Sequence, residues 1–243
     1  MRKNKLLLGT LLLALAFPLA SCGILADSIS NSVGSTGSST IKKEMKYEVG
    51  TANVDSWTDS IGTTWIKYAV PVKNTGDINI YLGSMSVDIE SSTGNLLKTE
   101  SMISVYPSFI KPGEIAYYYD ETIVDFDTTD IKIVPHVDVN RATSEIIRYE
   151  ISDLSITNDK YSGVKVMGRV ENNTSKKGTF VYVVANLFDS NDKLICNCFT
   201  ILDNDLDVGD KIGFTCKPSA FRNITPDDVF RYEVYAYPLQ FNF

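Results

Sequence analysis

Val72-Lys73-Asn74 and Val170-Glu171-Asn172 stand 98 positions apart, and each closes an apolar run at an Asn-containing turn. The same offset aligns Val87-Asp88-Ile89-Glu90 with Ala185-Asn186-Leu187-Phe188, Leu96-Leu97 with Leu194-Ile195, and Thr128-Thr129-Asp130-Ile131 with Pro226-Asp227-Asp228-Val229. Pro112-Gly113-Glu114 meets Val208-Gly209-Asp210 at an offset of 96, a shift of two residues. Any one of these matches is only a short strand or turn. A near-constant offset held over about 60 residues reads as a tandem duplication.

Both copies read as strands. Trp65 to Val72 and Val164 to Val170 are rich in β-branched and aromatic residues and stop at Asn-Thr-Gly and Asn-Asn-Thr. Tyr81 to Ile89 and Phe180 to Phe188 follow, ending at polar hairpin-type turns. Next come Leu96 to Val105 and Leu194 to Leu202, then Ile115 to Tyr119 and Lys211 to Cys216. Ile131 to Val139 and Arg231 to Pro238 close the series. Short strands at turn-like spacing, with no long amphipathic helical pattern, predict an all-β chain of two tandem immunoglobulin-like antiparallel β-sandwich domains. The predicted domains span 44–145 and 146–243, and the junction near Arg141 to Ile147 contains little Gly or Pro, which predicts close coupling.

The second copy resembles the FxLYD group of bacterial extracytoplasmic β-sandwich modules. The carriers are Gly168-Arg169-Val170-Glu171-Asn172, Ala185-Asn186-Leu187-Phe188-Asp189, Leu206-Asp207-Val208-Gly209-Asp210 and Phe214. Ala185 stands where the family has Phe and Phe188 where it has Tyr, so spacing rather than the naming motif carries the resemblance. The first copy matches more weakly, through Val72-Lys73-Asn74, Val87 to Ser91 and Pro112-Gly113-Glu114. The resemblance implies a fold and a location, not a chemistry.

The start of the chain bears on location too. Arg2, Lys3 and Lys5 precede an apolar run from Leu6 to Ala16, which has the flanks and length of an export signal. Leu19-Ala20-Ser21-Cys22 then resembles the lipobox of bacterial lipoproteins. Residues 1–21 are thus expected to be removed and Cys22 to carry the acyl chains, two of which anchor stably where one would not. Residues 22–43, with the Ser- and Gly-rich run ADSISNSVGSTGSST at 26–40, predict a flexible tether. The expected location is the cell envelope, on the outer face of the cell membrane, or the outer membrane in a Gram-negative organism.

Charge narrows the partners. The whole chain has 23 basic and 30 acidic residues, net −7, and removal of three leader cations leaves net −10. An acidic chain without a basic block lacks the footprint of a nucleic-acid binder. One His and no G-x-S-x-G, H-E-x-x-H or G-x-x-x-x-G-K motif argue against an enzyme, and no cofactor is expected. His136 reads as a strand residue rather than a base.

Three clusters remain as candidate sites. Cys196, Cys198 and Cys216 are the cysteines left after Cys22, and a bridge from Cys216 to one of the other two is one expectation, three reduced packing thiols the other. A zinc site lacks a fourth ligand. Asp203, Asp205, Asp207 and Asp210 alternate like a calcium loop, but Val208 and Phe214 occupy the positions where an EF-hand needs Gly and Glu. A solvated turn is the expectation there, weak cation binding the alternative. For Tyr117, Tyr118 and Tyr119 core and cross-strand packing is the expectation; the alternative is that, with Trp57 or Trp65, they stack on sugars or grip a protein. The function expected is a lipid-anchored interaction or scaffold module for a protein, glycan or envelope component. The alternative is a ligand- or metal-binding accessory subunit of an envelope or transport system.

Overall fold

A computed structural model describes residues 43–218 and 224–242; the expected leader, Cys22 and all but the last residue of the tether lie outside the described residues. The first half of the described chain contains β1 (Tyr47–Val49), β2 (Asn53–Thr58), β3 (Thr64–Asn74), β4 (Ile80–Leu82), β5 (Met85–Glu90) and β6 (Leu96–Ile103). β7 (Val105–Tyr106), β8 (Phe109–Ile110), β9 (Ile115–Val124), β10 (Lys132–His136) and β11 (Val139–Arg141) complete it. The second half contains β12 (Glu150–Asp159), β13 (Gly163–Glu171), β14 (Val181–Phe188), β15 (Leu194–Ile201), β16 (Lys211–Pro218) and β17 (Arg231–Pro238). Every pairing among these strands is antiparallel, in keeping with β-sandwich architecture.

In the first half one sheet runs β1-β3-β9-β7 with β2 also on β3, a second runs β10-β5-β6, and a third β11-β4-β8. The second half forms one sheet in the order β12-β13-β16-β15-β14-β17. β5 shows why these segments are strands: Met85, Val87 and Ile89 are buried and the residues between them are not, the period of a sheet with one covered face. Each such Val or Ile contributes roughly 1.5–3 kcal/mol of burial. β3 breaks the alternation, with Ile66 to Val70 all buried. Ile66, Tyr68 and Val70 point into the first core, and Ala69 on the opposite face joins a small cluster with Phe188 and Leu194 of the second half. The second core gathers Val164, Val166, Val170, Val183, Leu187 and Phe214.

The two halves repeat one register. Lys73 lies opposite Ile115 on β9, and Glu171 opposite Lys211 on β16. Asp88 faces Thr99 on β6, and Asn186 faces Asn197 on β15. Val54 of β2 faces Tyr68, and Ile156 of β12 faces Val166. The sequence expectation lacked β2 and β12, because both are polar, half-buried strands without a continuous apolar run.

Two buried asparagines fix the long connection in each half. Asn74 Nδ2 donates to Ile78 O at 2.8 Å and Ile110 O at 3.2 Å, while its Oδ1 accepts from Gly76 N at 3.1 Å. Asn172 Nδ2 donates to Lys176 O at 2.8 Å and Leu206 O at 2.9 Å, and its Oδ1 accepts from Thr174 N at 3.0 Å. The backbone carbonyls of Asn74 and Asn172 accept from Gly113 and Gly209, each at 2.8 Å. Those glycines have φ of +86° and +85°, a conformation that a side chain at either position would strain.

Candidate functional site

The halves meet through an ion cluster and a set of rings. Lys67 on β3 is buried, and its Nζ lies 2.6 Å from Asp55 Oδ2 and donates to Ile195 O at 3.2 Å. Lys193 of the second half reaches Asp55 Oδ1 at 2.6 Å, so one carboxylate on β2 joins two ammonium groups. Burial works to raise the Asp55 pKa, but hydrogen bonds from Lys193 and Lys67 outweigh it and hold the carboxyl below its ordinary value. Beside this cluster the Tyr117 ring meets Phe188 edge-on at 5.4 Å, and Arg231 lies over Phe188 at 3.8 Å.

A second set of rings runs from Tyr106 of the first half to Phe199, Tyr182 and Tyr237 of the second, with successive centroids 5.4, 5.5 and 5.9 Å apart. Arg148, just before β12, lies 5.3 Å from the Tyr237 ring and donates to Phe109 O. Tyr81, Tyr106, Tyr182, Tyr237 and Phe241 line a cleft of about 270 Å³, together with Ser84, Ser104, Ser108 and Gln240. None of its lining residues is charged. Tyr237 Oη and Gln240 Oε1 are buried there without a hydrogen-bond partner among the described residues. Burial holds the Tyr237 phenol above its ordinary pKa, so it is a neutral donor. Buried polar atoms are nearly always satisfied, so two closed-off orphans behind the wall of one uncharged cleft set it apart from the other recesses.

A larger recess of about 590 Å³ lies at the ion cluster, lined by Asp55, Lys67, Asp189, Asp227 and Asp228 among others. Its polar groups serve the fold. Asp55 holds the two lysines, Asp189 Oδ1 accepts from Asn191 N and Lys193 N, and Asp228 Oδ2 accepts from Thr225 N and Oγ1. The aromatic cleft is therefore the stronger candidate.

The residues singled out from the sequence are divided between core, joint and exposed turn. Tyr118 is in the first core and donates to Gly83 O at 2.8 Å, while Tyr117 and Tyr119 pack against the Phe188–Leu194 cluster between the halves. The tyrosine run is thus joint and core, the packing reading rather than an open binding surface; β9 alternates as expected, and a second covered face takes the side that the alternative left exposed. Trp57 and Trp65 stack on each other at 6.0 Å across β2 and β3. Cys196, Cys198 and Cys216 are free, buried thiols, with Cys196 and Cys198 sulfurs 3.9 Å apart. Cys198 pairs with Pro218 and Phe199 with Lys217, a register that leaves neither Cys196 nor Cys198 opposite Cys216. No bridge joins them; Cys216 Sγ instead donates to Val183 O at 3.3 Å. Asp205 and Asp207 bind Lys177 at 3.2 and 3.1 Å, and Asp210 Oδ2 accepts from Asp207 N within its own turn. Among the described residues no group of three acids, His or Cys is placed to hold a metal; Asp203, Asp205, Asp207 and Asp210 lie in a turn whose carboxylates meet Lys177 and the turn's own backbone. His136 pairs with Asp88 at 3.0 Å on an exposed strand face.

The cleft residues were missed because they come from four separate stretches, 81–84, 104–108, 182 and 237–241, none of which is a motif. Comparison with known protein families and with curated proteins returns no match for this chain.

Proposed function

We propose that this chain is a non-catalytic, lipid-anchored binding module of a bacterial cell envelope, and that the uncharged aromatic cleft takes a neutral saccharide unit. The observation that carries the reading is the uncharged cleft of tyrosine rings and serine hydroxyls, with two unpaired polar atoms, Tyr237 Oη and Gln240 Oε1, behind its wall, which a guest reaches once a side chain shifts. Rings stack on the C–H faces of a sugar, while hydroxyl and amide groups pair with its hydroxyls. The absence of charge in the lining disfavours an anionic or cationic guest. The anchor through Cys22, the Ser/Gly-rich tether and two FxLYD-like, immunoglobulin-like modules complete the reading; the repeated register and the matched asparagines support the modules.

The test is binding of neutral oligosaccharides to the full chain in detergent. Tyr182→Ala should abolish binding, and Tyr237→Phe should weaken it about tenfold with no fall in Tm, since it removes an unpaired hydroxyl. Failure of a broad neutral glycan panel to bind the wild-type chain would sink the ligand class. Labelled palmitate incorporated equally into wild type and Cys22→Ala would sink the anchor.

A further inference from the structure

The register that the halves share exposes one difference between them. In the first half the edge of β9 is covered by β7, with Val105 opposite Tyr118 and Tyr106 opposite Tyr117. At the offset of 96, Tyr117 and Tyr118 correspond to Gly213 and Phe214 of β16. On the side away from β13, no strand of the described residues covers them. β16 pairs with β13 on one side and on the other meets β15 only at Cys198–Pro218 and Phe199–Lys217. A cleft of about 540 Å³ opens instead, between Thr200–Asn204 and Ile212–Thr215.

Chain length accounts for the gap. The offset falls from 98 at Leu96/Leu194 to 96 at Gly113/Gly209, so the second half is two residues shorter in this interval, and β7 is two residues long. Between Ile212 and Thr215 the open edge carries no Lys or Pro to blunt it; those of β16, Lys211, Lys217 and Pro218, lie outside that stretch. Gly213 has no side chain, and a Cβ there would meet only Gly168 O, at 3.9 Å.

We propose that β16 is an acceptor for strand addition: an extended, non-acidic segment of a partner protein pairs with Ile212–Thr215, in the slot that β7 fills in the first half. The first half supplies the chemistry of the guest. Val105 is buried and Tyr106 half-buried, so the guest presents an apolar residue inward and an aromatic or long side chain beside it. Asp203 lines the cleft with no ion pair among the described residues, whereas Asp205 and Asp207 are held by Lys177. An acidic segment is repelled there and a neutral or basic one favoured. This site is separate from the aromatic cleft and does not depend on its ligand.

The test is amide hydrogen exchange on the full chain in detergent, with a synthetic peptide of residues 103–110, Ile-Ser-Val-Tyr-Pro-Ser-Phe-Ile, as the probe. The peptide should slow exchange at Ile212–Thr215 about tenfold or more, and its V105D/Y106D version should not. A chain in which Asp203–Asp205 is replaced by the five residues Val105–Phe109 should show slow exchange there without peptide, and should no longer take it up. Tyr182→Ala, which removes the saccharide site, should leave peptide uptake unchanged. Three results overturn the proposal: amides already slow in the free wild-type chain, no change with peptide up to about 1 mM, or protection that follows chain concentration alone, which would make a second copy of the chain the occupant. If the replacement chain does not fold, the wild-type measurement decides.

Discussion

Asn74 and Asn172 hold matching sets of hydrogen bonds. The partners Ile78, Gly76, Ile110 and Gly113 of the first recur as Lys176, Thr174, Leu206 and Gly209 of the second. Each side chain satisfies two backbone carbonyls and an amide that would otherwise be buried without partners. Asn172→Ala should therefore destabilise the chain by about 3 kcal/mol in urea denaturation, and Asn74→Ala by a similar amount. A loss below about 1 kcal/mol for both would show that water replaces the amide.

These asparagines also show what a single chain makes legible. Val-x-Asn at a fixed offset and the Gly113/Gly209 turns were readable because the residues that build them lie close together in sequence and have special backbone needs. Most strands were readable for the same local reason. The joint was not. Lys67 looks like an ordinary outward strand residue until the second half covers it, and Tyr117 looks exposed until Phe188 meets it. Contacts 70 to 140 residues apart leave no periodic trace, and the cleft at that joint inherits the same invisibility.

The Asp55 cluster should make part of the stability depend on pH. Its carboxyl is held below the ordinary 3.8, so the stabilisation is complete above the unfolded value and is lost as pH falls through the lower folded value. Asp55→Asn should lower stability by about 1–2 kcal/mol at pH 7, a modest figure because the carboxylate is partly exposed. The gap between variant and wild type should narrow below about pH 4. Thermal melts across that range measure it; a gap that widens in acid would refute the assignment.

Cys196, Cys198 and Cys216 should stay unreactive in the folded chain. Burial pushes the Cys216 thiol up to about 12, and the neighbouring Cys196 and burial raise Cys198 as well, so little thiolate exists at neutral pH. A disulfide-exchange reagent should label none of the three in the native state and all three in guanidinium. Fewer than three labelled on unfolding without reductant would reveal a bridge.

Lys177 and its two aspartates form an exposed contact screened by solvent, so Lys177→Ala should leave the Tm unchanged. Millimolar calcium should leave the wild-type Tm unchanged. A calcium-dependent rise that survives the Asp203→Asn substitution but not Asp207→Asn would locate a cation at this turn after all.

The joint between the halves has a consequence for assembly. It joins unlike surfaces: a face bearing Asp55, Ala69, Tyr117 and Tyr119 grips a ridge bearing Phe188 and Leu194. Head-to-tail joints of this kind pair two different surfaces, so a unit that kept both would go on adding copies into a ring or a filament. Here each surface is spent once. In the second half the face has become Thr157, Met167, Gly213 and Thr215, and in the first half Glu90 replaces the Phe188 of the ridge although Leu96 is still exposed. Both outward surfaces have thereby lost the residues that build the joint, the device by which repeat units are kept from stacking further. The described surface thus presents no intact face and no intact ridge, and a further copy of either half finds no matching partner surface on it.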